Sequence, residues 1–108
     1  RYLQTEEVIL VMTDNKNRLI CDRVLSKGTV NCSLMSPREV FLVALEYHAV
    51  HILLIHNHPS GDAAPSRQDI EITEHLARLC DMMQIPLLDH IIVGDGCYVS
   101  FKESGLLK

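Results

Sequence analysis

Residues 50–57 read VHILLIHN, an almost unbroken apolar run. Strands that shield one face of a sheet alternate apolar and polar residues; a continuous run of this length is the pattern of a strand buried on both faces. Such a strand belongs inside a layered domain, in a sheet with helices packed on it. The sequence on either side supplies them. SPREVFLVALEYHA, from Ser36, has an N-cap serine, Pro37 at the first helical position and Glu39 placed to complete a capping box. Its Val40, Phe41, Ala44, Leu45 and His48 share one stripe. SRQDIEITEHLARLCDMMQ, from Ser66, repeats the device: Ser66 caps, Asp69 follows three residues on, Ile72, Leu76, Leu79 and Met83 form the apolar face, and Pro86 ends the segment.

The remaining strands follow from shorter patterns. EEVILVMTD and LICDRVLSKG flank the polar turn DNKNR and read as an antiparallel hairpin, with Gly28 a bulge or turn in the second strand. In that strand Leu19, Cys21, Arg23 and Leu25 point one way, and Ile20, Asp22 and Val24 the other. After the second helix come LLDHIIVG, a turn at Asp95-Gly96, the strand CYVSF, and a tail, KESGLLK, expected to be short and loose. The expected order is β-β-α-β-α-β-β: one α/β (α+β) domain over residues 1–108, a central mixed sheet flanked by helices.

Composition narrows the function. The 108 residues suffice for one domain, and 47% apolar content supports a core. No eighteen-residue apolar run predicts a membrane span, and RYLQTEEVIL lacks the pattern of a signal peptide; it reads as an internal start, after a preceding domain. Cys21, Cys32, Cys80 and Cys97 form no C-x-x-C pair, which suits free thiols in a reducing cytosol, and hence a cytoplasmic protein, better than a disulfide framework or a cysteine zinc site. Ten Lys and Arg against fourteen Asp and Glu give a net charge of −4 with no basic stripe, and there is no Trp, two Phe and three Tyr. Direct DNA binding is therefore expected to be weak, with neither phosphate contacts nor stacking platforms well supplied.

The chemistry-bearing stretch is HNHPSGDAAPSRQD, residues 56–69. With the period of two along a strand, His56 and His58 face the same side and Asn57 the other. Two imidazoles one pleat apart can share a metal ion, and the loop returns the chain to a helix whose first turn carries Asp69. Two His and one carboxylate leave a fourth position for water, the open arrangement of a catalytic zinc site, in which the bound water's pKa falls to about 7. A second reading stands beside it: Ser66 and Asp69 form a capping box, Pro59 and Gly61 are turn residues, and His-x-His is polar surface at a strand end.

The same stretch resembles the JAMM (JAB1/MPN) metalloprotease pattern: His-x-His, seven residues, Ser, two residues, Asp. PREVF, HNHPSG, PSRQDI and LLDHIIVGDG resemble, in order, blocks of the RadC family, from about Glu6 to Phe101. The helix-hairpin-helix segment that usually precedes the domain in that family is absent from the sequence. The resemblance implies a JAB/MPN-like fold and one zinc ion per chain on His56, His58 and Asp69. It implies hydrolysis of a peptide or isopeptide bond in a peptide or protein substrate by metal-activated water. It also calls for an upstream glutamate as general base. Among Glu6, Glu7 and Glu39, the choice falls on Glu7, at the start of the first apolar strand, with Glu6 expected on the opposite face and Glu39 engaged at Ser36. Ser66 would donate its hydroxyl to the oxyanion, and Asp89 or His90 is a candidate to support the ligands from behind. The alternative is a non-catalytic metal-binding or protein-interaction module associated with DNA repair, the role the family name carries.

Overall fold

The computed structural model describes residues 6–28 and 36–107. The chain begins with the hairpin of β1 (Glu6–Thr13) and β2 (Leu19–Gly28). Asp14 closes it locally: one carboxylate oxygen accepts the backbone N–H of Lys16 (2.8 Å) and of Arg18 (2.9 Å), and the other pairs with the Arg18 guanidinium at 2.9 Å. Then follow α1 (Pro37–Glu46), β3 (His51–Asn57), α2 (Arg67–Met83), β4 (Leu87–Val93) and β5 (Tyr98–Ser100), the expected order. In space the strands run β2-β1-β3-β4-β5; β3 and β4 are parallel and the other neighbours antiparallel.

This order dictates where the helices go. β2 and β3 point the same way on either side of β1, and β3 and β4 are parallel neighbours, so both crossovers advance in one direction across the sheet. Right-handed crossovers that advance in one direction place their helices on one face. Val8, Leu10, Met12, Ile52, Leu54 and Ile92, which the register aligns on a single face, share one core with Val40 and Ala44 of α1 and Leu76 and Cys80 of α2. The apolar run at 50–57 thus has one deeply buried side, while Leu53 and Ile55 on its other side are only half-buried. The expectation of burial on both faces is corrected: among the described residues, both helices lie on the same side of the sheet.

Local details differ too. Ser36 caps α1 in extended conformation but makes no side-chain cap hydrogen bond, and Glu39 is exposed, so that capping box does not form. Pro37, with φ already fixed near the helical value, starts this helix. The irregularities in the hairpin lie not at Gly28 but where the β1–β2 register shifts, between Val8 and Ile9, skipping Leu25, and between Met12 and Thr13, skipping Ile20. The C-terminal residues pack: Phe101 is wholly buried, its carbonyl accepts the N–H of Leu106 and Leu107, and Leu107 is buried. Cys80 is buried, Cys21 is half-buried and Cys97 is exposed, all as free thiols; Cys32 lies outside the described residues.

Candidate metal centre

Four side chains from three elements meet at the end of β3. Val8 pairs with His56 across the antiparallel β1–β3 ladder, so even-numbered residues of β1 share the face of His56. Glu6, two residues before Val8, therefore stands on that face and Glu7 on the other. The Glu6 carboxylate lies 2.6 Å from His56 Nε2, with both side chains buried. This corrects the choice of base: the glutamate at the histidines is Glu6. Glu7 is half-buried on the opposite side, where its backbone N–H donates to Asn57 Oδ1 at 2.5 Å. His51, at the start of β3, turns its Nδ1 to the carbonyl of Asp14 at 3.2 Å.

Asp69 comes from the first turn of α2. Its N–H donates to Ser66 Oγ (3.0 Å), and its Oδ2 accepts the Ser66 N–H (2.8 Å), a complete capping box. The same carboxylate reaches both histidines, with Oδ2 3.1 Å from His58 Nε2 and Oδ1 3.8 Å from His56 Nδ1. The two readings of Ser66 and Asp69 are thus compatible: the helix cap delivers the carboxylate to the imidazoles. Ser66 uses an oxygen lone pair for the cap, and a hydroxyl that accepts can donate as well.

The hydrogen-bond chemistry fits a cation. His58 Nδ1 faces the carbonyl of Asp62 at 3.0 Å. A carbonyl only accepts, so Nδ1 carries the hydrogen, and when the ring is neutral Nε2 presents a lone pair to a carboxylate oxygen. Lone pair against carboxylate is repulsive unless a positive charge lies between them. Glu6, His56 and His58 offer ligand atoms within 4.8 Å of one another, and Glu6 and Asp69 are 5% and 2% exposed. Two carboxylates at that depth need compensation, which a divalent ion supplies more fully than a proton. A cleft of ≈ 320 Å³ lined by Glu6, His58, Ser60, Ser66, Gln68 and Asp69 opens beside the cluster.

His90 and Asp89 have different employment. His90 is wholly buried on β4, its Nδ1 2.6 Å from Thr73 Oγ1, and its ring lies between those of His56 (centroids 5.7 Å apart) and Phe101 (4.6 Å). Burial, followed by the influence of His56, pushes its pKa down to about 4, so the ring is neutral at ordinary pH. It backs His56 by packing. Asp89 faces the other side and organises the chain after β5: it accepts the Ser100 hydroxyl at 2.5 Å and the N–H groups of His90 (2.7 Å) and Lys102 (2.9 Å).

The loop carrying His58 is fastened to the β4–β5 turn. His58 N–H donates to the Val93 carbonyl (3.0 Å), Asp95 N–H to the Gly61 carbonyl (2.8 Å), and Cys97 Sγ lies 3.6 Å from that same carbonyl. Gly94 permits the approach: a Cβ there would stand 2.3 Å from Gly61 O and 2.9 Å from both Ala63 N and Cys97 Sγ.

Sheet, helices and cluster together define a one-sheet α+β domain with a candidate metal centre where a strand ends and a helix begins. The chain belongs to the RadC-like JAB domain family, whose sequence model matches residues 1–106. A UPF0758 protein of Caldanaerobacter subterraneus subsp. tengcongensis is 47% identical over 105 residues, covering 97% of this chain and 45% of its own length. A UPF0758 protein of Methanosarcina mazei is 44% identical over 108 residues (100% of this chain, 47% of the relative), and one of Bacillus licheniformis is 47% identical over 107 residues (99% and 48%). The chain thus spans about half the length of these curated relatives. Among the described residues, no helix is long and apolar enough to cross a membrane.

Proposed function

We propose that this domain is a zinc-dependent hydrolase of JAMM type, acting on a peptide or isopeptide bond. The observation that carries this reading is the meeting of His56, His58, Asp69 and Glu6 in one buried cluster beside an open cleft. His56, His58 and Asp69 would hold the ion, a two-nitrogen, one-oxygen set suited to zinc. When bound, the ion supplies Lewis acidity toward a carbonyl and toward water. The protein supplies the rest. Glu6, at 2.6 Å from His56 and lining the cleft, accepts the proton of the attacking water and returns it to the departing amine. Ser66, at the cleft wall, directs its hydroxyl hydrogen to the developing oxyanion while its oxygen keeps the helix cap. The hydrogen bond from His58 Nδ1 to Asp62 holds that ring with Nε2 toward the cluster.

Native mass spectrometry with elemental analysis, on protein purified without chelator, tests the ion: about one zinc per chain is expected, and a His56→Ala, His58→Ala double variant that keeps it stoichiometrically refutes the ligand set. Cleavage of a fluorogenic peptide library tests the chemistry. Glu6→Gln should retain zinc and lose about 10²–10⁴-fold in rate, whereas Glu7→Gln should change little.

A further inference from the structure

The sheet has a second face, which neither described helix covers. The register lines its residues into rows. One row is wholly apolar, Val24, Ile9, Ile55 and Ile91 across β2, β1, β3 and β4. The next is Asp22, Val11, Leu53 and Asp89: two apolar residues with a carboxylate at each end. Val24 is 50% exposed, and the others of the first row are half-buried by their neighbours in the sheet. An antiparallel sheet with a solvent face normally alternates, yet β1 and β3 are apolar on both sides. A groove of ≈ 550 Å³ opens at the β4–β5 end of this face over Ile91, Val93 and Tyr98, with Asp89 and Glu103 at its rim.

Size and charge select what fits. Four strands span about 14 Å between the outer two. A second copy packed sheet to sheet would bring the Asp22 and Asp89 carboxylates of one chain against those of the other, like charge against like. One helix, about 10–12 Å across, fits between Asp22 and Asp89 when it lies along β1 and β3. Its apolar stripe then meets Ile9, Val11, Leu53 and Ile55, and its two flanks meet the carboxylates.

We infer that this face docks an amphipathic helix of a partner protein, with lysine or arginine on both flanks of its apolar stripe. The site is on the opposite side of the sheet from the histidine cluster, so the inference stands whether or not the cluster binds zinc.

The test uses two synthetic eighteen-residue helical peptides with leucines at i, i+3, i+4 and i+7. One carries lysines on both flanks and the other glutamates at the same positions. In fluorescence anisotropy with the 108-residue chain, the lysine peptide should bind at least tenfold more tightly, with a preference that shrinks as salt rises. Asp22→Lys, at an exposed position, should weaken lysine-peptide binding at least threefold. Val24→Lys should do the same, with folding checked by circular dichroism. Methyl NMR should show shifts at Ile9, Ile55 and Ile91 and not at Leu76. Equal affinity for the two peptides, shifts confined to the helical side, or a dimer in sedimentation velocity that Val24→Lys dissolves would overturn the proposal.

Discussion

Gly94 and Gly96 sit two residues apart in the β4–β5 turn, and replacing each by alanine should have different consequences for different reasons. Gly96 has φ +72 with nothing within 4 Å of an added Cβ, so Gly96→Ala meets only the left-handed backbone penalty, about 1–2 kcal/mol. Gly94 lies outside the left-handed region, but its added Cβ would stand 2.3 Å from the Gly61 carbonyl oxygen, where real contacts stay beyond 3.0 Å. The obstacle is backbone and cannot rotate away. The loop must retreat by at least ~0.7 Å, with overpacking strain of about 1–3 kcal/mol. Retreat also strains the Asp95 N–H to Gly61 bond, worth about 1 kcal/mol net. The total is about 2–4 kcal/mol. At roughly 5 °C per kcal/mol for a domain of this size, Gly94→Ala should lower Tm by about 10–20 °C and Gly96→Ala by about 5–10 °C. Because the displaced segment carries Asp62, whose carbonyl holds His58 Nδ1, Gly94→Ala should also weaken retention of the proposed metal ion, and Gly96→Ala should not. Differential scanning fluorimetry and a competition titration with a chromogenic chelator measure both effects. A Gly94→Ala protein that melts within ~3 °C of the parent, or above Gly96→Ala, would falsify the close-approach argument.

Acid should destabilise the metal-free domain through His90. Above pH 6.5 both folded and unfolded forms are neutral; between 6.5 and about 4 only the unfolded chain takes up the proton, so stability falls across that window by about 3 kcal/mol and then levels. Urea titrations at several pH values should show this, and His90→Phe, which keeps the ring between His56 and Phe101, should flatten it. Native protein treated with a thiol reagent should modify Cys97 well before Cys80, whose thiol is wholly buried and pushed up to about 12; equal rates by peptide mapping would contradict the packing of α2. Duplex DNA should bind weakly at physiological salt, and a salt titration giving sub-micromolar affinity with a slope of several phosphates would show a basic surface assembled from scattered residues.

Much of the site was legible in the sequence because its parts obey short-range periods. His56 and His58 share a face through the two-residue repeat of a strand, and Ser66 and Asp69 share a helix start through the three-residue step of a cap. The glutamate was not legible. Val8 to Met12 are apolar at every position, so the alternation carries no parity, and only the Val8–His56 pairing, between residues far apart in sequence, decides between Glu6 and Glu7. The one-sided placement of the helices was hidden for the same reason: it follows from strand order and crossover handedness, which are long-range. Ser36 and Glu39 spell a capping box that does not form, since Pro37 starts the helix without it. The tail looked loose because seven residues are too few to show a period, yet Leu107 is buried and Phe101 anchors the turn before it.

Asp69 completes the cap of α2 and faces both histidines with one carboxylate. This makes the ways in which a lineage could lose the proposed activity unequal. A histidine at the mouth of the cleft can drift with little harm to the fold: His58 is partly exposed and sits in a loop held by backbone bonds. Losing the aspartate removes a helix start as well, about 1 kcal/mol of scaffold stability. Descendants without the proposed chemistry should therefore lose His58 before Asp69, and an aspartate kept there without its loop histidine records folding rather than catalysis.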